Sequence, residues 1–225
     1  MNLLVVAATK FEIDPFLKEN PKADVLITGV GIPATIFHLT KNLSVNKYDL
    51  VIQAGIAGAF TDRFNLSEVV AVKEDTFGDV GIEEKEKFQT LFEKGFGDKN
   101  DFPFTNGWLV NNQPFLNKID LLSAKGITVN KVTDNKVQNK LTEEKFSADV
   151  ESMEGAAFHY VCLQQKINFL QLRSISNKVG ERDKAKWKTA EAIKNLNEEL
   201  FKIIKNLNPA SLQGERGLFN PIKMI

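Results

Sequence analysis

Short apolar runs rich in Val, Ile and Leu alternate along the chain with stretches whose apolar positions recur every three or four residues. Continuous apolar runs of strand length predict strands buried on both faces, and the three-to-four spacing predicts helices. Strands are expected at 3–8, 25–28, 50–53, 69–72, 126–132, 148–150 and 169–175. Helices are expected at 12–18, from Pro33 to about Leu43, at 154–165 and at about 184–205. Pro33 suits a first helical turn, where a missing N–H costs nothing. Residues 82–106 are charged, with Phe and Gly interspersed, and predict mobile loop and a short helix. The alternation predicts an α/β fold: a three-layer αβα sandwich around a central, mostly parallel twisted sheet. Residues 1–208 are expected to form a single domain. Residues 209–225 are expected to form a C-terminal tail, loose or packed on a partner subunit.

Composition narrows the picture. At 225 residues and 43% hydrophobic, the chain can bury most of its apolar side chains in one layered core. Its 29 basic and 29 acidic residues cancel, so it lacks the basic surplus typical of nucleic-acid binding. Cys162 is the only cysteine, which excludes an intrachain disulfide and suits a reducing compartment. No apolar run reaches the ~18 residues that suggest a membrane span. The N-terminal run lacks a signal peptide's basic leader and cleavage context, so it reads as a first strand. The expected location is the cytoplasm.

Open α/β sheets bind ligands at the C-terminal ends of their strands. Four such ends carry unusual residues: Thr9-Lys10-Phe11-Glu12, the expected turn Gly55-Ile56-Ala57-Gly58, Glu151-Ser152-Met153-Glu154-Gly155, and Arg173-Ser174-Ile175-Ser176-Asn177. Each has a plain structural reading. Glu12 and Glu154 fit as first-turn acids favoured by a helix dipole. The glycines fit a tight loop. Arg173, within an apolar strand, needs a partner, which Glu12 or Glu154 can supply. His38 and His159 lie on expected helices without metal-ligand spacing nearby, so no metal is expected. Cys162 is expected on the packed face of its helix. Gly29-Val30-Gly31 lacks the remaining glycine spacing of a dinucleotide-binding loop. No cofactor is expected.

Taken together, Ser152-Met153-Glu154-Gly155-Ala156-Ala157, Arg173-Ser174-Ile175-Ser176-Asn177 and Ala54-Gly55-Ile56-Ala57-Gly58 resemble the nucleoside phosphorylase and nucleosidase superfamily, in the right order on the right elements. The resemblance spans residues 3 to about 205. It implies that Glu12 activates a water, that Glu154 grips the ribose hydroxyls beside Met153, and that Arg173 holds the water and the acid. It also implies that Ile56, Ala57 and Gly58 form a backbone rim near the anomeric carbon. Ser152 and Ser176 fall within the same motifs. The implied partner is a nucleoside, with no nucleic acid or membrane, in a homodimer or larger homo-oligomer.

Two departures sharpen the reading. Phosphorylases of the superfamily carry a Gly-Asp-Pro-rich loop with an arginine for phosphate after the first strand. This chain has Ala8-Thr9-Lys10-Phe11-Glu12, which favours water as nucleophile. Adenine-cleaving relatives carry an aspartate where this chain has Asn177. An amide cannot serve as that acid, but it can accept from a protonated N7 and donate to a 6-oxo group. Such a site mismatches adenine. The expected substrate is therefore a 6-oxopurine nucleoside, as in the futalosine hydrolase branch, which releases hypoxanthine in a menaquinone route. The segment 133–137, where adenine-type relatives place a Phe over the base, has no aromatic. Phe77 and Trp187 are the alternative walls. Methylthioadenosine or S-adenosylhomocysteine cleavage, phosphate-dependent phosphorolysis and non-catalytic nucleoside binding are the competing readings.

Overall fold

A computed structural model describes residues 1–19, 21–85 and 87–207. In chain order the elements are β1 (Leu3–Ala7), α1 (Asp14–Lys18), β2 (Asp24–Ile27), α2 (Ile32–Val45), β3 (Leu50–Ala59), β4 (Val69–Phe77), β5 (Gly81–Glu84), β6 (Lys87–Thr90), β7 (Leu109–Val110), β8 (Leu122–Thr128), α3 (Lys136–Phe146), β9 (Val150–Ser152), α4 (Gly155–Gln164), β10 (Phe169–Lys178) and α5 (Thr189–Asn206). Single 3₁₀ turns lie at Lys10–Ile13, Pro114–Lys118 and Lys184–Lys186. The tail expected at 209–225 falls outside the described residues. Among the described residues, no helix is long and apolar enough to cross a membrane.

The apolar runs are continuous because both faces of the central strands are covered. Successive strand side chains point to opposite faces. Leu3, Val5 and Ala7 of β1 pack with Leu50 and Ile52 of β3, Leu172 of β10 and Leu196 and Leu200 of α5. The intervening Leu4 and Val6 pack with Val51, Leu39 and Leu43 of α2, and Phe158 and Val161 of α4. This places helices on both sides of a sheet, as the α/β expectation requires.

The sheet is mixed. β2, β1, β3 and β10 run parallel as neighbours. β4 is antiparallel to β10 and parallel to β8, and β8 is parallel to β9. β9 then pairs antiparallel with the far end of β3. Strands β3, β10, β4, β8 and β9 thus close a ring. All five contribute to one apolar cluster that includes Ala57, Val72, Ala124, Val150 and Ile175.

Closure splits one edge of β3. Its first half pairs with β1 through Gln53, and its end pairs with β9 from Gly58. Among the described residues, positions 54–57 have strand partners on β10 alone. A crevice where two neighbouring strands part is the usual ligand position of open α/β sheets.

Several elements differ from expectation. Residues 55–58 are not a turn but the interior of β3, because their small side chains continue the ladder with β10. β4 and β10 run on to Phe77 and Lys178, carried by register with β8 and β3. β8 spans Leu122–Thr128 rather than 126–132, because its pairing with β4 begins at Leu122. β9 lies at Val150–Ser152 rather than 148–150, set by its pairing with Gly58 and Ala59. The segment 82–106 holds the β5–β6 hairpin and no α-helix. Helix α3 buries no residue, so no apolar period marked it. The last helix starts at Thr189, after the 3₁₀ turn that Asp183 caps.

Leu172 is fully buried between β3 and α5. Leu172→Ala is expected to cost about 2–5 kcal/mol. Urea unfolding should show a lower midpoint at unchanged slope.

Candidate active site

Glu12 lies in the 3₁₀ turn that follows β1 and is 7% exposed. Its Oε2 accepts from the Thr9 backbone N–H and the Thr9 hydroxyl, both at 3.0 Å. Its Oε1 accepts from the Ile56 N–H at 3.2 Å, on the part of β3 that the split edge leaves open. Three donors fix the carboxylate. Burial nevertheless pushes its pKa above the ordinary carboxylate value, opposed most strongly by the charge of Arg173. Nearby Glu154 adds to the upward push.

Arg173 is 1% exposed and pairs in register with Gly55 of β3. Its Nη2 donates to Gln53 Oε1 at 3.0 Å, and its Nη1 donates to the Ile56 carbonyl at 3.4 Å. Nη1 also lies 3.6 Å from Glu154 Oε2. Its buried Nε has no hydrogen-bond partner. Gly55 explains the approach. A Cβ there would overlap Arg173 Nη1 and lie 3.0 Å from Glu12 Oε1.

Glu154 is 5% exposed and caps α4 with non-helical backbone, φ −135° and ψ −19°. It is thus the residue before the helix rather than a first-turn acid. Its Oε1 accepts from Gly31 N–H at 3.0 Å. Gly31 precedes α2 at φ +94°, in the left-handed region that glycine tolerates. Two helix starts therefore meet at one carboxylate.

Behind α4 sits a third carboxyl. Asp75 is fully buried, accepts from Thr128 Oγ1 at 2.9 Å and from Gln171 Nε2 at 3.0 Å, and is pushed up to about 7 by burial. Thr128 Oγ1 in turn accepts from Ala156 N–H at 2.7 Å, in the first turn of α4. Gly155 has no room for a side chain, because Asp75 and Gln171 fill that space. His159 is buried on the same helix with Nδ1 2.9 Å from the Leu109 carbonyl.

Asn177 belongs to a neighbouring group, four residues beyond Arg173. A bulge between Ile175 and Asn177 resets the register, so Asn177 pairs with Gly58. Asn177 Oδ1 accepts from Ser176 Oγ at 2.7 Å, and Nδ2 donates to the Lys178 carbonyl at 2.8 Å. Ser176 Oγ also reaches the Ala57 carbonyl at 3.2 Å. An amide oxygen has two lone pairs and an amide nitrogen two hydrogens, so one of each is left for another partner. Trp187 Nε1 donates to the Glu181 carbonyl at 3.0 Å, and the adjacent Lys188 N–H reaches the Ser176 carbonyl at 2.8 Å.

The structure therefore brings Glu12, Arg173, Glu154 and Ile56 into one cluster. It sets Ala57, Gly58, Ser176 and Asn177 beside it, with Trp187 tied on through Lys188. Ser152 Oγ accepts from Gly155 N–H at 3.2 Å and so supports the cap. Phe77 packs on Tyr160 with ring centroids 6.4 Å apart. Met153 is half-buried between Ser152 and Glu154. A cavity of about 520 Å³ bounded by Glu68, Asp120 and Asn195 shares none of these residues. No group of three or more His, Cys, Asp and Glu among the described residues is arranged to hold a metal.

Sequence reading assigned no role to Thr9, Gln53, Asp75 or the Gly31 N–H. Gln53 and Asp75 carried a usable signal, since each is a polar residue within a buried strand. The Gly31 contact carried none, because it joins residues 123 positions apart.

The phosphorylase superfamily model matches residues 21–207. A protein of Thermus thermophilus described as futalosine hydrolase is 29% identical over 208 residues, covering 86% of this chain and 91% of that one. Another of the same description from Streptomyces coelicolor is 30% identical over 191 residues, covering 80% and 77%. Among solved structures, futalosine hydrolase of Helicobacter pylori superposes with TM-score 0.75 at 14% identity, covering 92% of this chain and 98% of that one. The 5′-methylthioadenosine/S-adenosyl homocysteine nucleosidase of Campylobacter jejuni gives TM-score 0.75 at 17% identity, covering 92% and 100%. Those two likenesses concern the fold.

Asp75 keeps its proton up to about pH 7 in the folded chain, against 3.8 for an ordinary aspartate. Between those values the folded state holds the extra proton, so Asp75's contribution is full below 3.8 and is lost as pH rises through about 7. Asp75→Asn lacks this dependence. The stability advantage of the native chain over that variant should fall by about 1.4 kcal/mol per pH unit across the window. Urea midpoints at a series of pH values measure it, and a constant difference contradicts the burial of a neutral acid.

Proposed function

The chain belongs to the phosphorylase superfamily, and on that premise we propose that it hydrolyses the N-glycosidic bond of a 6-oxopurine nucleoside. The proposed substrate is futalosine, and the products are hypoxanthine and dehypoxanthine futalosine, within menaquinone biosynthesis. One observation carries the reading: two buried carboxylates lie at the split edge of β3, Glu154 paired with the guanidinium of Arg173 and Glu12 held by the Ile56 N–H within reach of its charge. The two curated relatives described as futalosine hydrolases support the choice of substrate.

In this mechanism Glu154 accepts hydrogen bonds from the ribose hydroxyls, and these strengthen as the sugar gains oxocarbenium character. Glu12, held by Thr9 and Ile56, takes a proton from the attacking water. The water oxygen bonds to the anomeric carbon, the bond to purine N9 breaks, and its electron pair leaves with the base. The charge of Arg173 opposes the burial that raises the Glu12 pKa, and its guanidinium lies 3.6 Å from Glu154. Ile56, Ala57 and Gly58 form the backbone rim beside the anomeric carbon. Met153 packs on the ribose between the supports of Ser152 and Glu154.

Asn177, steadied by Ser176, accepts from N7–H and donates to the 6-oxo group. Phe77 and Trp187 are the proposed apolar walls. The loop after β1 offers no arginine to hold phosphate, which favours hydrolysis over phosphorolysis. The proposed location is the cytoplasm, in keeping with a lone buried Cys162. A homodimer or larger homo-oligomer is proposed. Exposed Phe11 beside Glu12, Val30 beside Gly31 and Phe37 on α2 are apolar surface available for it.

Futalosine, inosine and methylthioadenosine, each incubated with and without phosphate, test the assignment by chromatography of free base. Hypoxanthine from futalosine without phosphate is expected. An absolute phosphate requirement, or preferential release of adenine, contradicts it. Glu12→Gln should keep the unfolding midpoint near native and lower turnover about 10²–10⁴-fold. Asn177→Asp should weaken 6-oxopurine cleavage relative to aminopurine cleavage, and an unchanged profile removes Asn177 from base reading.

A further inference from the structure

Asn177 leaves a chemical requirement unmet. A purine anion is a poor leaving group unless it is protonated as the glycosidic bond breaks, and an amide has no proton to give at neutral pH. A carboxyl placed beside the base can supply it.

The sheet register sets one there. Glu151 of β9 pairs with Gly58 of β3, and Gly58 pairs with Asn177 of β10. The three residues form a row across adjacent strands. Directly paired residues present their side chains on the same face. The face is confirmed at each neighbour. Val150, one residue before Glu151, and Ala57 and Ala59, on either side of Gly58, all point into the apolar cluster inside the ring. Glu151 and Gly58 therefore point outward. A Gly58 Cβ would stand 3.4 Å from Asn177 Nδ2 and 3.1 Å from Val179 Cγ2, so the amide and Val179 both lie beside the glycine. Adjacent strands are about 4.8 Å apart, which puts the Glu151 and Asn177 backbones about 10 Å apart across a residue with no side chain.

Glu151 is half-buried and, among the described residues, takes part in no hydrogen bond or ion pair through its side chain. The charged group facing it is Asp79, at the end of the segment after β4. Asp79 is itself held by the Asn130 backbone and amide N–H groups. Burial, with the repulsion of Asp79 added, pushes Glu151 up to about 7. A catalytic acid is most effective when its pKa lies near the working pH.

We propose that Glu151 is the general acid for the departing purine, acting across Gly58 from Asn177. This rests on the nucleosidase reading. The C1′–N9 bond breaks, its electron pair passes into the purine, and the Glu151 carboxyl proton moves to a purine nitrogen as water adds at C1′ and loses a proton to Glu12. Glu151 ends as carboxylate and Glu12 as carboxylic acid. Exchange with solvent resets both. Asn177 then orients the base while Glu151 supplies the proton that adenine-type relatives draw from an aspartate at the Asn177 position.

The test compares the full-length native chain with Glu151→Gln on two substrates: futalosine and p-nitrophenyl β-ribofuranoside, whose phenolate leaves without protonation. With futalosine the variant should lose about 10²-fold or more in kcat. The alkaline limb of its pH profile near 7 should disappear. With the nitrophenyl riboside the two proteins should differ by less than about threefold. Equal losses on both substrates, or an unchanged alkaline limb, overturn the acid role and leave Glu151 structural. Native protein that releases no base from any nucleoside overturns the nucleosidase reading instead. Infrared titration of the Glu151 carboxyl, by difference from Glu151→Gln, reads its protonation without any turnover. A carboxyl already ionised well below pH 7 contradicts the proposal whatever the kinetics.

Discussion

One guanidinium, removed from water beside one carboxylate and within reach of another, sets the terms for the rest of this molecule. Arg173 lies in a strand whose neighbours are apolar, and a buried cation is tolerated only with partners. Glu154 lies 3.6 Å away, Gln53 and the Ile56 carbonyl accept from it, and the charge of Arg173 opposes the burial of Glu12. The fold makes room for this group by leaving out a side chain at Gly55 and by splitting the edge of β3 between β1 and β9. Without the split, the Ile56 N–H that holds Glu12 would lie in a ladder. Ring closure and the placement of this buried charge cluster are thus the same structural event.

The acids around Arg173 are more numerous than the cations. Glu12, Glu154 and Asp75 are all buried within its electrostatic reach. Keeping Asp75 protonated near neutral pH leaves Arg173 to the two carboxylates at the crevice. The neutral acid still has work in the fold, since Thr128 links it to the first turn of α4, and Glu154 is the residue that starts that helix. Glu154 is therefore positioned from both sides: by Gly31 at the start of α2, and by the Asp75, Thr128 and Gln171 set beneath α4.

Much of this was legible in the sequence, for identifiable reasons. Strands such as Leu3–Ala7 are covered on both faces, so they read as unbroken apolar runs. Arg173 stood out because a charge inside such a run demands a partner. The order of Glu12, Glu154 and Arg173 along the chain, on resembling motifs, pointed to one site. Other features were illegible because local sequence does not encode them. Residues 54–58 have turn composition, yet pairing with β10 keeps them extended. Helix α3 buries nothing and so shows no apolar period. The row Glu151–Gly58–Asn177 exists only in the register of three strands brought together by ring closure.

In the proposed site the charge of Arg173 favours the ionised form of Glu12 against its burial. Carboxyl-¹³C titration of Glu12, in glutamate-labelled native protein and in Arg173→Gln, measures that effect directly. Loss of the guanidinium should move the Glu12 midpoint to higher pH, because burial and Glu154 then act on it unopposed by that charge. A midpoint that is unchanged or lower would show that the arginine does not govern the carboxylate, and the proposed site would lose its basis.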